Sequence, residues 1–259
     1  REEANTYLRQ ALLLSVGFSF LLSFCGALFA PQILRFAGAT PDYLDLAVTY
    51  FRIIMFGNFF YCIGLTITAA QRGVGNTRIS MVTNIAANLV NLVFNALLIN
   101  GLFFFPRLEV AGAAIATAIG NIVSFLIAVY SVTHTEGFLK LHKRQSWKPD
   151  LGAIRDLYNI SWSAFVEQIF LRIGFLMYAK AVAGLGTVAF AAHQIVMNIM
   201  SISFSVGDGL SIANTSLVGQ SLGANRTDMA IIYGKVAQRI GLILAILVSG
   251  SITLFRAQL

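Results

Sequence analysis

Seven long apolar stretches occupy most of this 259-residue chain, and each is long enough to cross a lipid bilayer. The hydrocarbon core of a bilayer requires about 20 apolar residues per spanning helix. Hydrophobic residues make up 57% of the chain and charged residues 11%, too little charge to cover a soluble protein of this size. The sequence therefore predicts an all-α, polytopic protein embedded in a lipid bilayer. The predicted spans are residues 8–30, 44–70, 79–104, 110–133, 158–183, 187–219 and 230–255.

Two features favour helices over a membrane β-barrel. The apolar runs are continuous and do not alternate between apolar and polar residues, as barrel strands do. All four prolines lie between the predicted spans, where a residue without an N–H is tolerated. These prolines are Pro31, Pro41, Pro106 and Pro149.

The charges between the spans predict the orientation in the membrane. Twelve basic residues fall on one side and three on the other. Because cytoplasmic loops are enriched in Lys and Arg, we expect the side with twelve to be cytoplasmic. The net charge of +7 then reflects topology, and no nucleic-acid partner is expected. The twelve are Arg1, Arg9, Arg72, Arg78, Lys140, Lys143, Arg144, Lys148, Arg155, Arg226, Lys235 and Arg239, and the three are Arg35, Arg107 and Arg256.

The beginning and end of the chain resemble each other at an offset of 226 residues, which aligns Ala4 with Ala230 and Arg9 with Lys235. Such a repeat would contain six helices, and an even number keeps both copies parallel. We therefore expect an internal piece of a twelve-helix, two-lobed bundle with parallel six-helix repeats. The alternative is two unrelated helices that share a basic start.

The longest polar stretch, residues 134–157, is predicted to be a cytoplasmic linker between the lobes. Residues 1–133 would then form the remainder of the N-terminal lobe, with four helices. Residues 158–259 would begin the C-terminal lobe, with three helices.

Two of the predicted spans carry polar stripes. In each, the polar residues recur at intervals of three and four, which places them on one helical face. Either these faces form hydrogen bonds between helices or they line a polar cavity. The stripes are Asn84, Asn88, Asn91 and Asn95 in one span and Gln194, Asn198, Ser201, Ser205 and Asp208 in the other. From these we expect Asn88, Asn91, Asn95, Gln194, Asn198 and Asp208 to line a substrate cavity.

Glu167 lies among apolar neighbours inside a predicted span. Apolar surroundings favour the protonated form of a carboxyl group, and the ionised form can coordinate sodium. We therefore expect Glu167 to bind a coupling cation. The alternative is a buried ion pair with Arg172 or Lys180, although Arg172 projects from a different side of the helix.

The fourth predicted span carries small residues at every fourth position: Gly112, Ala116, Gly120 and Ser124. A stripe of this kind allows two helix backbones to approach closely. It predicts tight helix packing and requires no chemistry.

The sequence resembles the multidrug and toxic compound extrusion (MATE) transporters along essentially its whole length. The resemblance is clearest in AQRGVGNTR (residues 70–78), in residues 88–117, in FVEQ (165–168) and in LVGQSLGA (217–224). It implies a twelve-helix exporter driven by sodium or proton flow, of which this chain would be the third to ninth helices. It also implies that Glu167 is the acidic residue used for cation coupling. Asn95 stands where many prokaryotic relatives have an aspartate. Because an amide does not titrate, we do not expect residue 95 to carry protons in the N-terminal lobe.

Secondary active export of amphipathic organic cations or other small toxic compounds, by alternating access, is the expected function. The alternative is a lipid-linked oligosaccharide flippase of the same superfamily, which would need a basic cavity. Apart from the basic residues already assigned to the two membrane surfaces, only Arg52, Arg172 and Lys180 lie within the spans. No enzyme is expected, because catalytic and phosphate-loop motifs are missing from the sequence. We expect no cofactor or metal site beyond the coupling ion, and a monomer in the bacterial inner membrane.

Overall fold

The computed structural model describes residues 2–37, 41–101, 106–134, 138–141 and 147–254. These ranges contain eight helices. They are α1 (Glu2–Leu28), α2 (Ala30–Phe36), α3 (Pro41–Gly73), α4 (Thr77–Asn100), α5 (Glu109–Thr133), α6 (Leu151–Ala183), α7 (Thr187–Gly223) and α8 (Thr227–Leu254). All but α2 are long and apolar enough to cross a membrane, by length and composition. The prediction of an all-α, multi-pass membrane protein with seven spans is therefore confirmed.

Several helices extend beyond the predicted spans at their polar ends, and α6 shows why. It begins at Leu151, before the predicted residue 158, because the Asp150 carboxylate accepts hydrogen bonds from the N–H groups of Gly152 and Ala153 at 2.9 and 3.4 Å. An aspartate in this position satisfies the free N–H groups of a helix start. Hydropathy cannot detect such a start, because the first turns of α6 are polar. The predicted span residues 102–104 and 255 lie outside the described residues.

Pro31 lies in the short helix α2, between two spans as predicted, whereas Pro41 begins a span and does not precede it. Pro41 is the first residue of α3, where the missing N–H would have had no helical partner. Pro31, near the start of α2, cannot donate to the carbonyl four residues earlier, that of Ala27. The Nε of Arg52 in α3 donates to this Ala27 oxygen at 3.2 Å. Arg52 therefore satisfies a carbonyl that Pro31 leaves free.

The chain forms two compact units, Arg1–Leu157 and Tyr158–Leu259, here called unit 1 and unit 2. In unit 1, α5 packs against both α3 and α4, and α1 packs against α3. The core joins apolar side chains of α1, α3 and α5, among them Ile67 and Val132. Leu139, in the segment that connects α5 to α6, inserts into the same core and is 1% exposed. The lobe boundaries at residues 134 and 157 stay a prediction.

Helix α5 approaches both of its neighbours closely. A Cβ added to Gly112 of α5 would lie 2.7 Å from the carbonyl oxygen of Leu98 in α4. On the other side, a Cβ added to Gly57 of α3 would lie 2.8 Å from the Cα of Ala118. The predicted small-residue stripe is confirmed, because all four of its members, Gly112, Ala116, Gly120 and Ser124, are buried. The close approach to α3 is a second seam that the sequence analysis did not identify.

Unit 2 is held together differently. Its helices α7 and α8 pack against each other. Helix α6 contacts α7 through aromatic side chains, with ring centroids 6.2 Å apart for Phe175 and Phe204 and 5.0 Å apart for Tyr178 and His193. Large rings lie between α6 and α7, whereas the glycines of α5 allow the backbones of unit 1 to approach closely.

The substitution Gly112→Ala should lower the melting temperature of the protein in detergent, because the added methyl group would overlap the Leu98 carbonyl and push α5 away from α4. Overpacking of this kind costs about 1–3 kcal/mol. Gly17→Ala is the matched control, since a Cβ there meets no atom within 4 Å. Thermal unfolding followed by circular dichroism makes the comparison. Equal melting temperatures for the two variants would contradict the close contact.

The substitution Arg52→Leu should destabilise the protein by about 1–3 kcal/mol, because it leaves the Ala27 carbonyl without a hydrogen bond. Pro31→Ala restores an N–H that can reach this carbonyl. We therefore expect Arg52→Leu to cost much less stability when Pro31→Ala is also present. Melting temperatures of the wild type, both single variants and the double variant test this coupling. Strictly additive effects would show that Arg52 acts elsewhere.

Candidate functional site

The polar face of α4 is divided between an exposed half and a half-buried half. In the middle of α4, the exposed Asn88 donates from its side-chain amide to the carbonyl oxygen of Asn84 at 2.9 Å, a bond within the same helix. Further along, Asn91 and Asn95 are half-buried beside α5. The three candidate residues of this face therefore have different surroundings, although they share one stripe.

Asn91 and Asn95 join a hydrogen-bonded cluster with Thr117 of α5. The Asn95 amide donates to Oδ1 of Asn91 at 2.9 Å, and the Asn91 amide donates to Oγ1 of Thr117 at 3.2 Å. The Thr117 hydroxyl in turn donates to the carbonyl oxygen of Ala113 at 2.9 Å. In this cluster Asn91 connects two helices, so the interhelical interpretation of the stripe holds for Asn91.

The cluster keeps one acceptor unused. Oδ1 of Asn95 is buried and has no hydrogen-bond partner among the described residues. A buried polar atom without a partner is costly, and a bound water or ion can satisfy it. Amide and hydroxyl oxygens are hard ligands suited to a cation such as sodium, whereas an amide does not take up a proton near neutral pH.

The polar face of α7 is more open than that of α4. The hydroxyl of Ser201 donates to the carbonyl oxygen of Asn198 at 2.6 Å, and the hydroxyl of Ser205 donates to the carbonyl oxygen of Ser201 at 2.9 Å. Both serine hydroxyls therefore form their hydrogen bonds within α7. The side chains of Gln194, Asn198 and Asp208 are exposed, and within the described chain they form no hydrogen bond with protein. Unit 2 thus presents a row of unused polar groups along α7.

Glu167 is exposed on α6 in the part of the bundle that this chain forms. Its helix contacts α7 through rings that come later in α6, so no neighbouring helix covers the carboxylate. Among the residues that the structure describes, no ion pair joins Glu167 to Arg172 or Lys180. The carboxylate is therefore available for a cation or a proton.

Sequence reasoning missed two polar residues of these helices. Thr117 was included only in the stretch that carries the family resemblance, yet it links α5 to Asn91. Asn214 of α7 has a buried Oδ1 without a partner in the described structure. A polar residue within an otherwise apolar run is the signal that could have identified both.

No group of three or more His, Cys, Asp or Glu side chains comes together in the described ranges to hold a metal ion.

The sequence pattern of the MatE family matches two stretches of this chain, residues 1–97 and 163–259. The two stretches cover more than half of the chain. Two separate matches to one pattern also accord with the internal repeat.

Two curated relatives extend this likeness. The probable multidrug resistance protein NorM of Thermotoga maritima is 31% identical over 174 residues, which are 67% of this chain and 37% of the relative. The multidrug resistance protein MdtK of Yersinia enterocolitica is 30% identical over 229 residues, 88% of this chain and 50% of the relative. The chain thus spans half or less of the length of these two relatives.

A solved structure shows the same fold. It is described as the outward-facing conformation of a multidrug resistance MATE family transporter of the MOP superfamily. Its TM-score is 0.89 at 20% identity, and the match covers 100% of this chain and 57% of the solved one. MATE transporter structures have a twelve-helix fold, so this chain has the fold of part of such a bundle.

The substitution Asn91→Leu should destabilise the protein by about 1 kcal/mol, because it removes the bond to Thr117 and leaves the Asn95 amide unpaired. Asn88→Leu is the matched control, since Asn88 is exposed and bonds only to its own helix. Melting temperatures in detergent would show a loss for Asn91→Leu alone. A loss of the same size in Asn88→Leu would mean that the cluster does not connect α4 to α5.

Proposed function

This chain belongs to the MatE family, and we propose that it forms part of a membrane transporter that exports amphipathic organic cations or other small toxic compounds in exchange for sodium or protons. The observation that carries the proposal is Glu167, a carboxylate in an apolar helix to which no ion pair is joined in the described structure. The multidrug resistance names of the relatives support the same conclusion.

A carboxyl group within a membrane span has two stable states. Its charge is neutralised when it binds a proton or a monovalent cation, and it is ionised when water reaches it. A transporter that exposes the group alternately to each side of the membrane can therefore load and release one ion per cycle. Under this proposal Glu167 is the group that loads and releases the coupling ion.

The cluster of Asn91, Asn95 and Thr117 limits what unit 1 can contribute. Its side chains are neutral, and its unused acceptor is an amide oxygen, so it can ligate sodium but cannot carry a proton. We propose that any proton coupling runs through unit 2, where Glu167 and Asp208 are the carboxylates within the spans.

The proposed substrates follow from the charges and rings in the spans. Asp208 and Glu167 are exposed carboxylates that attract organic cations. Exposed aromatic rings on α6, such as Trp162 and Phe170, offer faces for cation–π contacts. Together these groups favour amphipathic cations over anions, with Asn88, Gln194 and Asn198 as proposed hydrogen-bonding partners in the cavity.

The flippase alternative needs cations in the membrane to hold a diphosphate group. Arg52 is one of three candidates, and its guanidinium already donates to the Ala27 carbonyl. This engagement leaves Arg172 and Lys180 for such a role, and it favours drug export over the flippase.

Export should depend on the carboxylate of Glu167. In efflux-deficient cells that express the protein from its complete gene, the wild type should lower accumulation of a fluorescent organic cation. Glu167→Gln should raise accumulation to the level of cells without the protein, because an amide cannot exchange a proton or pair with an ion. Glu3→Gln, the same change at an exposed position in the first turn of α1, should export normally at matched expression.

Varying external sodium and pH then identifies the ion, since only the coupling ion should change the export rate. Equal export by Glu167→Gln and the wild type would remove Glu167 from the coupling step. No export by the wild type would refute drug export for that compound and favour the flippase.

A further inference from the structure

A hydrogen bond between two side chains joins the start of α6 to the start of α1. The phenol hydroxyl of Tyr7 in α1 donates to Oδ2 of Asp156 in α6 at 2.9 Å. Both side chains are exposed, and both precede the predicted apolar spans on the side expected to be cytoplasmic. Water can therefore replace either partner, so this bond can open at a small cost in free energy.

The start of α6 is otherwise loosely attached. In the described part of the chain, no helix of unit 1 approaches the backbone of α6 as closely as α5 approaches α3 and α4. Within residues 151–157 only Ala153 is buried, and its methyl group contributes little apolar area. Asp150 caps this end of the helix from within the same segment. The first turns of α6 can therefore stay helical when they separate from α1.

Glu167 lies on the same unbroken helix as Asp156. It follows Asp156 by eleven residues, which is about 16 Å along the helix axis and nearly on the same face. No proline or glycine occurs between Ala153 and Ile173, and sharp bends in helices usually occur at residues of that kind. A displacement of the start of α6 is therefore transmitted to Glu167.

The boundary between the two units falls inside this helix, between Leu157 and Tyr158. If Glu167 moves, α6 must either bend near this boundary or separate from α1 at its start. Bending strains backbone hydrogen bonds of a helix that has no proline or glycine there. Separation opens one exposed side-chain hydrogen bond, that of Tyr7 with Asp156. The second route has the smaller cost.

We propose that the hydrogen bond between Tyr7 and Asp156 is a releasable latch. It is closed in one state of the protein, with the start of α6 held on α1, and open in another state, in which α6 tilts and moves Glu167. Tyr7 is then a positioning residue that acts through α6 and touches neither the ion nor the exported compound. The latch rests on the proposed function, because ion exchange at Glu167 is what requires α6 to move.

The distance between two spin labels tests the latch without a transport assay. The protein is expressed from its complete gene, with its native cysteines, Cys25 and Cys62 among them, replaced by alanine. Labels are attached to Glu3→Cys in α1 and Leu151→Cys in α6, which are exposed positions. Pulsed electron paramagnetic resonance in lipid nanodiscs, at several sodium concentrations and pH values, should show a shorter closed distance and a longer open one. One unchanging distance under every condition would overturn the proposal.

Variants then identify the bond that holds the closed state. Tyr7→Phe removes only the hydroxyl and should shift the ratio of closed to open protein by about two- to tenfold toward the open state. Asp156→Leu should cause the same shift, and adding it to Tyr7→Phe should have no further effect. Asp156→Asn keeps an oxygen acceptor and should stay close to the wild type. Tyr50→Phe is the matched control, because the hydroxyl of this exposed tyrosine of α3 has no hydrogen bond within the described structure.

The outcomes separate the latch from the proposed function. An unchanged ratio in Tyr7→Phe and Asp156→Leu would overturn the latch, whatever the protein exports. A lower melting temperature with an unchanged ratio would show that the bond only stabilises the fold, and an equal shift in Tyr50→Phe would show that the effect is not specific; both results also overturn it. Two distances that respond to Tyr7→Phe, in a protein that exports no organic cation, would support the latch and refute drug export for the compound tested.

Discussion

A bilayer supplies no hydrogen bonds, so every polar group in a span must find its partner within the protein, and much of this structure follows from that constraint. The Ala27 carbonyl illustrates it. Pro31 cannot donate to this oxygen, and Arg52 of another helix does so instead. A charged residue that looks costly in a membrane sequence thereby fastens α3 to the break between α1 and α2. The hydroxyls of Thr117, Ser201 and Ser205 obey the same constraint on their own helices.

Polar groups in the spans that have no hydrogen-bond partner among the described residues are the candidates for function. Among the described residues, Asn95 has a buried oxygen without a partner, and Glu167 and Asp208 have exposed carboxylates in apolar helices. Each group could be satisfied by a passing ion or by a substrate. The two units differ here, because unit 1 offers neutral oxygens and unit 2 offers negative charge. A division of this kind suits a transporter in which a cation is bound and released.

Packing also differs between the units, and α5 is the reason. Its small residues draw α3 and α4 to within backbone contact, with Gly57 and Gly112 at the closest points. Leu139 closes the same core from the connecting segment. In unit 2, rings such as those of Phe175 and Phe204 lie between α6 and α7. Close backbone contact thus characterises the packing of α5 in unit 1, and aromatic contacts join α6 to α7 in unit 2.

The sequence by itself determined the number of membrane spans, the small-residue stripe of α5 and the family, because hydropathy, spacing and motif order are properties of neighbouring residues. It could not place the start of α6, which depends on capping by Asp150. Nor could it decide which stripe residues connect helices. Asn91 and Asn88 look alike in the sequence, and only the position of Thr117 on the neighbouring α5 makes Asn91 a link and leaves Asn88 exposed. The exposure of Glu167 and the partner of Arg52 were also decided by tertiary structure, since both depend on which helix lies beside them.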